Sequence, residues 1–261
     1  MKNSNKVSII IPVFNRAWCV ARAVESAVCF VGNVADAEIV LIDDGSTDSS
    51  LEIIHKTVIK HCHSSNISFH VCTHDKNKGV CATKNTGARA ATGTWLVFFD
   101  SDDELMPSGL SRLESCLAKE AGVLHFFTAI DEQTSFKADD FDSVEKRNFE
   151  RYLINGIGGE ALPVIKRDVF IKFQYDEDIR GYESLAYMRI VKNFGFLTLH
   201  SLGLRRYYTS NTDRLSTKLN MRKRRNDLVV GHLRALREHY KEAPLIWSAK
   251  QVARSIYTLV R

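Results

Sequence analysis

The feature that most constrains this chain is a regular alternation, through about its first 130 residues, of hydrophobic runs of strand length with amphipathic segments of helix length. Such alternation is typical of repeated β-α units around a parallel sheet. The hydrophobic runs predict strands at residues 7–13, 38–42, 68–72, 95–99 and 123–128. The amphipathic segments predict helices near residues 17–28, 49–60, 80–91 and 107–117. The sequence therefore predicts an α/β fold.

Composition excludes several other classes of protein. The chain has 261 residues, of which 44 % are hydrophobic and 26 % charged, close to the average for folded soluble proteins. Its longest apolar runs fall well short of the roughly 20 residues that span a bilayer. We see no secretion signal and no C-x-x-C pair among the six cysteines. We therefore expect a cytoplasmic protein with reduced thiols, and three disulfides are the alternative.

Carboxylates follow two of the predicted strands at the points where these strands end. Asp43 and Asp44 come after the second strand, and Asp100, Asp102 and Asp103 come after the fourth. Ligands of open α/β sheets bind beyond the carboxyl ends of the strands. Carboxylate oxygens suit Mg²⁺ or Mn²⁺, so the second group is a candidate metal site, and a simple acidic turn is the alternative.

The segment NKGVCATKNTG opens the predicted third helix. The free N–H groups of such a helix start, together with Lys78 or Lys84, suit a phosphate. After the second strand, Ser46, Thr47 or Asp48 is expected to cap the next helix.

Four segments in this order, IIIPVFNR, LIDDGSTD, NKGVCATKNTG and VFFDSDDELMP, resemble the inverting family 2 glycosyltransferases of the GT-A fold. The resemblance covers roughly residues 6–115. It implies a Rossmann-like, mostly parallel central sheet flanked by helices, a nucleoside-diphosphate-sugar donor that is usually UDP-linked, and Mn²⁺ or Mg²⁺ held by Asp100 and Asp102. The residues that it places around the nucleotide-sugar are Pro12, Val13, Phe14, Asn15, Asp44, Asn77, Gly79, Lys84, Asn85, Asp100, Ser101 and Asp102.

The second half of the chain matches this family less well. Family members carry an E-D pair followed, six residues after the aspartate, by a helical arginine, whereas this chain reads GYESLAYMRI. If Arg189 is the helical arginine, Glu183 takes the place of the aspartate that serves as general base. Aligning the glutamates would put Ser184 there, but a serine without a partner cannot accept a proton at neutral pH. We therefore predict Glu183 as the base, and its alternative is a carboxylate that only stabilises a helix start.

One tyrosine and three arginines are further candidates for contacts with the acceptor or the diphosphate. Tyr182 is a candidate for stacking on the acceptor sugar. Arg214, with Arg205 or Arg206, is a candidate for covering the diphosphate, and solvated loop arginines are the alternative.

Charge is unevenly distributed along the chain. Residues 201–261 carry a net charge of +10, and residues 1–200 carry −5. We predict a GT-A domain at residues 1–215, with its nucleotide-binding half at about 1–130 and its acceptor-binding half at about 131–215. Residues 216–261 are predicted to form a basic amphipathic helical tail that binds an anionic membrane surface, with a solvated helix face as the alternative. No nucleic-acid partner is expected.

These expectations combine into one function. The protein is expected to move a hexose or N-acetylhexosamine from a UDP-sugar to a polysaccharide repeat unit on a polyprenyl-diphosphate carrier, for O-antigen or capsule, while peripheral on the inner face of the membrane. Alternative acceptors are lipopolysaccharide core, teichoic acid or a protein. A nucleotide-sugar-binding module without catalysis is an alternative of another class. No G-x-G-x-x-G follows the first strand, which argues against a dinucleotide dehydrogenase.

Overall fold

The computed structural model describes residues 6–32, 37–62, 67–132, 143–208, 222 and 224–260. The strands of this part are β1 (Val7–Val13), β2 (Ala37–Asp43), β3 (Ser68–Thr73), β4 (Trp95–Phe98), β5 (Glu104–Leu105), β6 (Leu124–Asp131), β7 (Val144–Asn148), β8 (Ala161–Lys166) and β9 (Phe196–Tyr207). The helices are α1 (Val20–Val31), α2 (Ser50–Cys62), α3 (Val80–Ala90), α4 (Gly109–Lys119), α5 (Phe149–Asn155), α6 (Arg167–Lys172), α7 (Ser184–Phe194), α8 (Arg225–His239) and α9 (Leu245–Val260).

The strands form one sheet in the order β3-β2-β1-β4-β8-β6-β9-β5, with β7 paired to β9. Strands β3, β2, β1 and β4 are parallel neighbours, which confirms the predicted β-α units of the first half. Every residue of β1 and β2 is buried, because helices cover both faces of this part of the sheet. The predicted α/β class is thus confirmed.

The second half extends the same sheet with mixed pairing. Strand β8 enters antiparallel between β4 and β6, and β9 pairs parallel with β6. The alternation of the sequence did not predict β7, β8 or β9. Strand β7 reads VEKRN, and each of its residues is partly or fully exposed. It therefore lacks the hydrophobic signal of a central strand.

Two hydrophobic clusters lie on the two faces of the sheet. One contains buried residues of α1 and α4, and the other contains buried residues of α3, α5, α6 and α7. Helices α8 and α9 join the second cluster through Ala235 and Trp247, both almost fully buried. The first part of the predicted tail therefore packs on the same core as the helix that begins after Glu183.

Two further features of the described part concern its helices and its cysteines. No helix in these ranges has both the length and the apolar character needed to cross a bilayer. None of the six cysteines, all of which lie in the described part, forms a disulfide, as the interpretation of reduced thiols predicted.

Candidate active site

A cavity of about 760 Å³ lies beyond the carboxyl ends of β1, β2 and β4. Loops that follow these strands meet there with the start of α3 and the segment that precedes α7. The predicted residues that line the cavity are Pro12, Val13, Phe14, Asn15, Asp44, Asn77, Gly79, Lys84, Asp100, Ser101, Asp102 and Glu183. The fold thus brings the motifs of the first half and the candidate base of the second half to one site.

Asp44 is held by a set of hydrogen bonds at the end of β2. Its Oδ1 accepts from the backbone N–H of Lys78 at 2.9 Å and faces His74 Nδ1 at 2.7 Å, and its Oδ2 accepts from the N–H of Gly79 at 2.9 Å. Because a carboxylate only accepts, His74 donates from Nδ1. The other ring nitrogen of His74 lies 3.0 Å from Thr86 Oγ1. Asp44 is therefore fixed between two loops, with its carboxylate at the cavity wall.

The remaining polar residues after β2 build the turn. The N–H of Ser46 donates to Asp43 Oδ2 at 3.0 Å, and the N–H of Ser50 donates to Asp48 Oδ1 at 3.0 Å. Asp48 therefore binds the N–H of the first residue of α2, which confirms the capping interpretation. Gly45 has φ +69°, and a Cβ there would lie 2.7 Å from the backbone of Lys76, so this turn requires glycine.

Lys84 joins the two halves of the cavity. Its ammonium lies 3.2 Å from Asp100 Oδ1 and 3.3 Å from Glu183 Oε1, and its side chain is only 8 % exposed. Burial alone would lower the pKa of Lys84, but the two carboxylates raise it above its ordinary value. Lys84 is thus a fixed positive charge between the predicted metal site and the predicted base.

Asp100 and Arg205 belong to the same network. Arg205 Nη1 lies 3.1 Å from Asp100 Oδ2 and 3.4 Å from Asp103, and its Nη2 lies 3.1 Å from Glu160. Burial opposes ionisation of Asp100, but Lys84 and Arg205 outweigh it and lower its pKa. Burial raises the pKa of Asp103 to about 7. Arg205, a sequence candidate for covering the diphosphate, is almost fully buried among these acids.

Glu183 directly precedes the first residue of α7 and does not cap it with its side chain. Its carboxylate instead lies at the cavity, where Lys84 offsets part of its charge. The positive end of the α7 dipole offsets more of it. Glu183 is therefore a carboxylate held at the cavity wall, as a general base requires.

Two other predicted residues, Asn85 and Tyr182, do not line the cavity. Asn85 is buried outside the cavity lining, where its amide donates to the carbonyl of Tyr175 at 2.9 Å and accepts from the N–H of Tyr175 at 3.1 Å. Tyr182 is 9 % exposed and faces α8, where its hydroxyl lies 2.8 Å from His232. Arg214 lies outside the described residues.

The carboxylates that follow β4 are the predicted ligands of a divalent cation. Among the described residues, no group of three His, Cys, Asp or Glu side chains is arranged to hold a metal. The two carboxylate oxygens of Asp100 face the side chains of Lys84 and Arg205. Asp102 lines the cavity, and its Oδ2 lies 4.0 Å from Arg16 Nη2. Mg²⁺ is often bound by one or two carboxylates plus substrate phosphates. The residues therefore fit a cation that shares its coordination with a bound diphosphate.

Two arginines of the cavity wall were missed by sequence reasoning. Arg180 donates to Asn77 Oδ1, and Arg224 donates to the carbonyls of Arg180 and Gly181. Within the described ranges, neither guanidinium has a carboxylate within 4.0 Å. Arg180 stands in an acidic stretch, and Arg224 stands in a basic run that was interpreted as part of the tail. Nothing in their local sequence indicates a place at this cavity.

The sheet order and the likeness to solved structures over nearly the whole of this chain define the GT-A fold, which confirms the fold that the resemblance implied. Staphylococcus aureus TarS 1–349 in complex with UDP-GlcNAc superimposes with a TM-score of 0.70 at 15 % identity, over 97 % of this chain and 71 % of that one. The mannosyltransferase PcManGT from Pyrobaculum calidifontis, solved with GDP-Man and Mn²⁺, superimposes with a TM-score of 0.68 at 16 % identity, over 96 % of this chain and 69 % of that one.

The sequence profile described as "Glycosyl transferase family 2" matches residues 8–173. The chain belongs to this family. A Campylobacter jejuni relative named GalNAc(5)-diNAcBac-PP-undecaprenol beta-1,3-glucosyltransferase is 25 % identical over 231 residues, which cover 82 % of this chain and 69 % of the relative. The chondroitin synthase of Escherichia coli is 36 % identical over 117 residues, or 45 % of this chain and 16 % of that one. The family and these homologues identify the protein as a glycosyltransferase.

Proposed function

We propose that the protein transfers a hexose or N-acetylhexosamine from a UDP-sugar to a lipid-linked glycan, and inverts the configuration at the anomeric carbon. The observation that carries this proposal is that the carboxylate of Glu183 lines the same cavity as Asp44 and Asp102. A base, a nucleotide-binding carboxylate and a carboxylate for a cation are therefore within reach of one substrate.

The donor binds along the loops of the first half. Asp44 accepts from the imide N–H of uracil, and Phe14, 38 % exposed at the cavity, contacts the base. Asn77 and Gly79 complete the wall on this side, and Asp100, Ser101 and Asp102 meet the ribose and the diphosphate. TarS was solved with UDP-GlcNAc in the same fold, which supports this choice of nucleotide.

Transfer is a single displacement. Glu183 takes the proton of an acceptor hydroxyl, and the oxygen attacks the anomeric carbon from the face opposite the nucleotide. The bond from this carbon to the diphosphate oxygen breaks, and UDP leaves with the electron pair. Asp102 and Asp100 would hold Mn²⁺ or Mg²⁺, which would compensate the negative charge of the leaving group. Lys84 holds the carboxylates of Asp100 and Glu183 in place during the reaction.

The proposed acceptor is a glycan on a polyprenyl diphosphate, of the kind used to assemble O-antigen or capsule. The C. jejuni relative is named for an acceptor linked to PP-undecaprenol. Arg180 and Arg224 add two guanidiniums at the cavity wall, and guanidinium forms strong paired hydrogen bonds with phosphate.

The C-terminal helices suit a position on the inner face of the membrane. Helix α9 leaves apolar side chains exposed, with Leu245 89 % and Ile256 57 % exposed. Lys250 and Arg254 lie on the same helix, and such a combination binds anionic lipid surfaces. The proposed contact therefore uses the exposed face of the second helix of the tail, whose Trp247 packs on the enzyme as the first helix does.

The proposal is tested by a donor screen. Release of UDP from each common UDP-sugar is measured with Mn²⁺ and again with excess EDTA, for the wild type, Glu183→Gln, Asp102→Ala and the control Glu52→Gln on the exposed face of α2. We expect one sugar to be hydrolysed slowly by the wild type and the control, and EDTA to stop the reaction. Glu183→Gln should bind donor but turn it over about 10²–10⁴-fold more slowly, and Asp102→Ala should bind donor poorly.

Two results would overturn the proposal. If the wild type binds a UDP-sugar but neither hydrolyses it nor transfers it to any lipid-linked acceptor, the protein is a binding module. If Glu183→Gln keeps full activity, the base lies elsewhere in the cavity.

A further inference from the structure

Helix α8 touches the segment that carries the proposed base. Gly231 lies against the ring of Tyr182, which directly precedes Glu183 in the chain. A Cβ on Gly231 would come within 2.5 Å of Tyr182 Cδ2 and 2.6 Å of Tyr182 Cγ. Real Cβ contacts are longer than this, and the ring is buried, so any side chain at residue 231 must displace it. Only glycine lets α8 approach this closely.

A hydrogen-bonded chain continues from this contact. The Tyr182 hydroxyl lies 2.8 Å from His232 Nδ1, and the same nitrogen lies 2.8 Å from Gln251 Oε1 on α9. The Tyr182 and His232 rings are nearly perpendicular, with centroids 5.3 Å apart. The orientation of Tyr182 is therefore set both by packing and by a polar contact, and both come from α8.

Ion pairs hold α8 along α7. Arg189 donates to both carboxylate oxygens of Glu238 at 2.8 and 2.7 Å, and to Asp176 at 2.7 Å. Arg234 of α8 binds the other oxygen of Asp176 at 2.8 Å. Arg189, the helical arginine of the family pattern, thus fixes α7 between a loop of the second half and α8.

We propose that Gly231 and His232 are positioning residues, which set the place of the Glu183 carboxylate through Tyr182. This inference rests on the proposed role of Glu183 as the base. Gly231 and His232 do not touch substrate in this proposal; they fix the backbone from which the base extends. A base displaced by about 1 Å can lose on the order of 100-fold in rate.

The experiment compares Gly231→Ala and Tyr182→Phe with Val230→Ala, an exposed position on the same helix. Their kcat and donor KM are measured as UDP release from the UDP-sugar that the wild type hydrolyses, and binding of UDP is measured by calorimetry. For Gly231→Ala we expect kcat to fall about 10- to 100-fold, with donor KM and UDP affinity within about twofold of the wild type. Tyr182→Phe keeps the ring, so its kcat should fall less than that of Gly231→Ala. The kcat of Val230→Ala should match that of the wild type.

A crystal structure of Gly231→Ala gives a readout that does not depend on turnover. We expect the ring of Tyr182 to move away from α8, and the contact between Glu183 and Lys84 to lengthen beyond about 4 Å, the outer limit of an ion pair. Unchanged kcat, or an unchanged position of the Glu183 carboxylate, would overturn the inference. The two proposals can fail separately. If Glu183→Gln is active, Glu183 is not the base. If Glu183→Gln is inactive and Gly231→Ala is fully active, only the proposed role of α8 is refuted.

Discussion

Lys84 and Glu183 form an ion pair of 3.3 Å across 99 residues of sequence. Lys84 belongs to α3, in the part of the chain that matches the nucleotide-binding motifs, and Glu183 precedes α7 in the other half. The same ammonium binds Asp100 at 3.2 Å. This lysine therefore links the proposed metal site to the proposed base in one charge network.

Replacing Lys84 by methionine is predicted to abolish most activity. The change leaves Asp100 and Glu183 without their shared cation, which costs up to about 3 kcal/mol in stability and displaces the base. We expect UDP release to fall at least about 100-fold. Lys84→Arg keeps the charge and should retain more activity than Lys84→Met. Equal rates in the two variants would show that the charge of Lys84 does not matter.

His74 is predicted to support nucleotide binding through Asp44. His74→Phe removes the hydrogen bond at Asp44 Oδ1 and leaves the backbone contacts of this carboxylate in place. The loss of one hydrogen bond to a charged group predicts a UDP affinity about tenfold weaker by calorimetry. Thr86→Val removes only the outer bond of His74 and should have a smaller effect. An unchanged affinity in His74→Phe would mean that the loop alone orients Asp44.

Glu38 is predicted to contribute acid-sensitive stability. Burial alone would raise the pKa of Glu38, but hydrogen bonds from Ser8, Thr92 and Gly93 outweigh it and lower the pKa to about 2. A lowered pKa stabilises the folded state fully above the ordinary value of 4.5, and this stabilisation is lost as the pH falls through about 2. Glu38→Gln should therefore lower the free energy of unfolding by about 3 kcal/mol at neutral pH.

The measurement is urea unfolding of Glu38→Gln and the wild type at about pH 7, 4 and 3, which reaches into the range where the stabilisation declines. The difference between the two proteins should shrink as the pH falls. A difference that stays constant with pH would assign the effect to lost hydrogen bonds and not to the charge of Glu38.

Gly87 is predicted to tolerate no side chain. A Cβ at this position of α3 would lie 2.5 Å from Ile10 and 2.6 Å from Ile42, both fully buried in the sheet. Gly87→Ala should lower the free energy of unfolding by about 1–3 kcal/mol. The control Ala90→Ser, exposed on the same helix, should stay within about 0.5 kcal/mol. Equal denaturation midpoints for the two variants would show that α3 can move away from the sheet.

The sequence by itself determined the β-α units of the first half and the residues at their strand ends. Hydrophobic alternation is a local signal, and the carboxyl ends of parallel strands share one edge of a sheet, so local patterns alone assign Asp44 and Asp102 to one site. The four motifs in order indicated the family for the same reason, since each lies at the end of a well-marked strand or at the start of the helix that follows it.

Only the tertiary structure decided how the second half completes the site. Strands β7 to β9 pair with neighbours distant in sequence. Strand β7 is partly or fully exposed along its whole length and carries little periodic signal. Arg180 and Arg224 looked like ordinary surface charges, and Tyr182 like a residue of the acceptor site. Their places follow from the packing of α7 against α8, where Gly231 meets Tyr182. Contacts between distant segments depend on the shape of the whole core, which no local pattern of residues encodes.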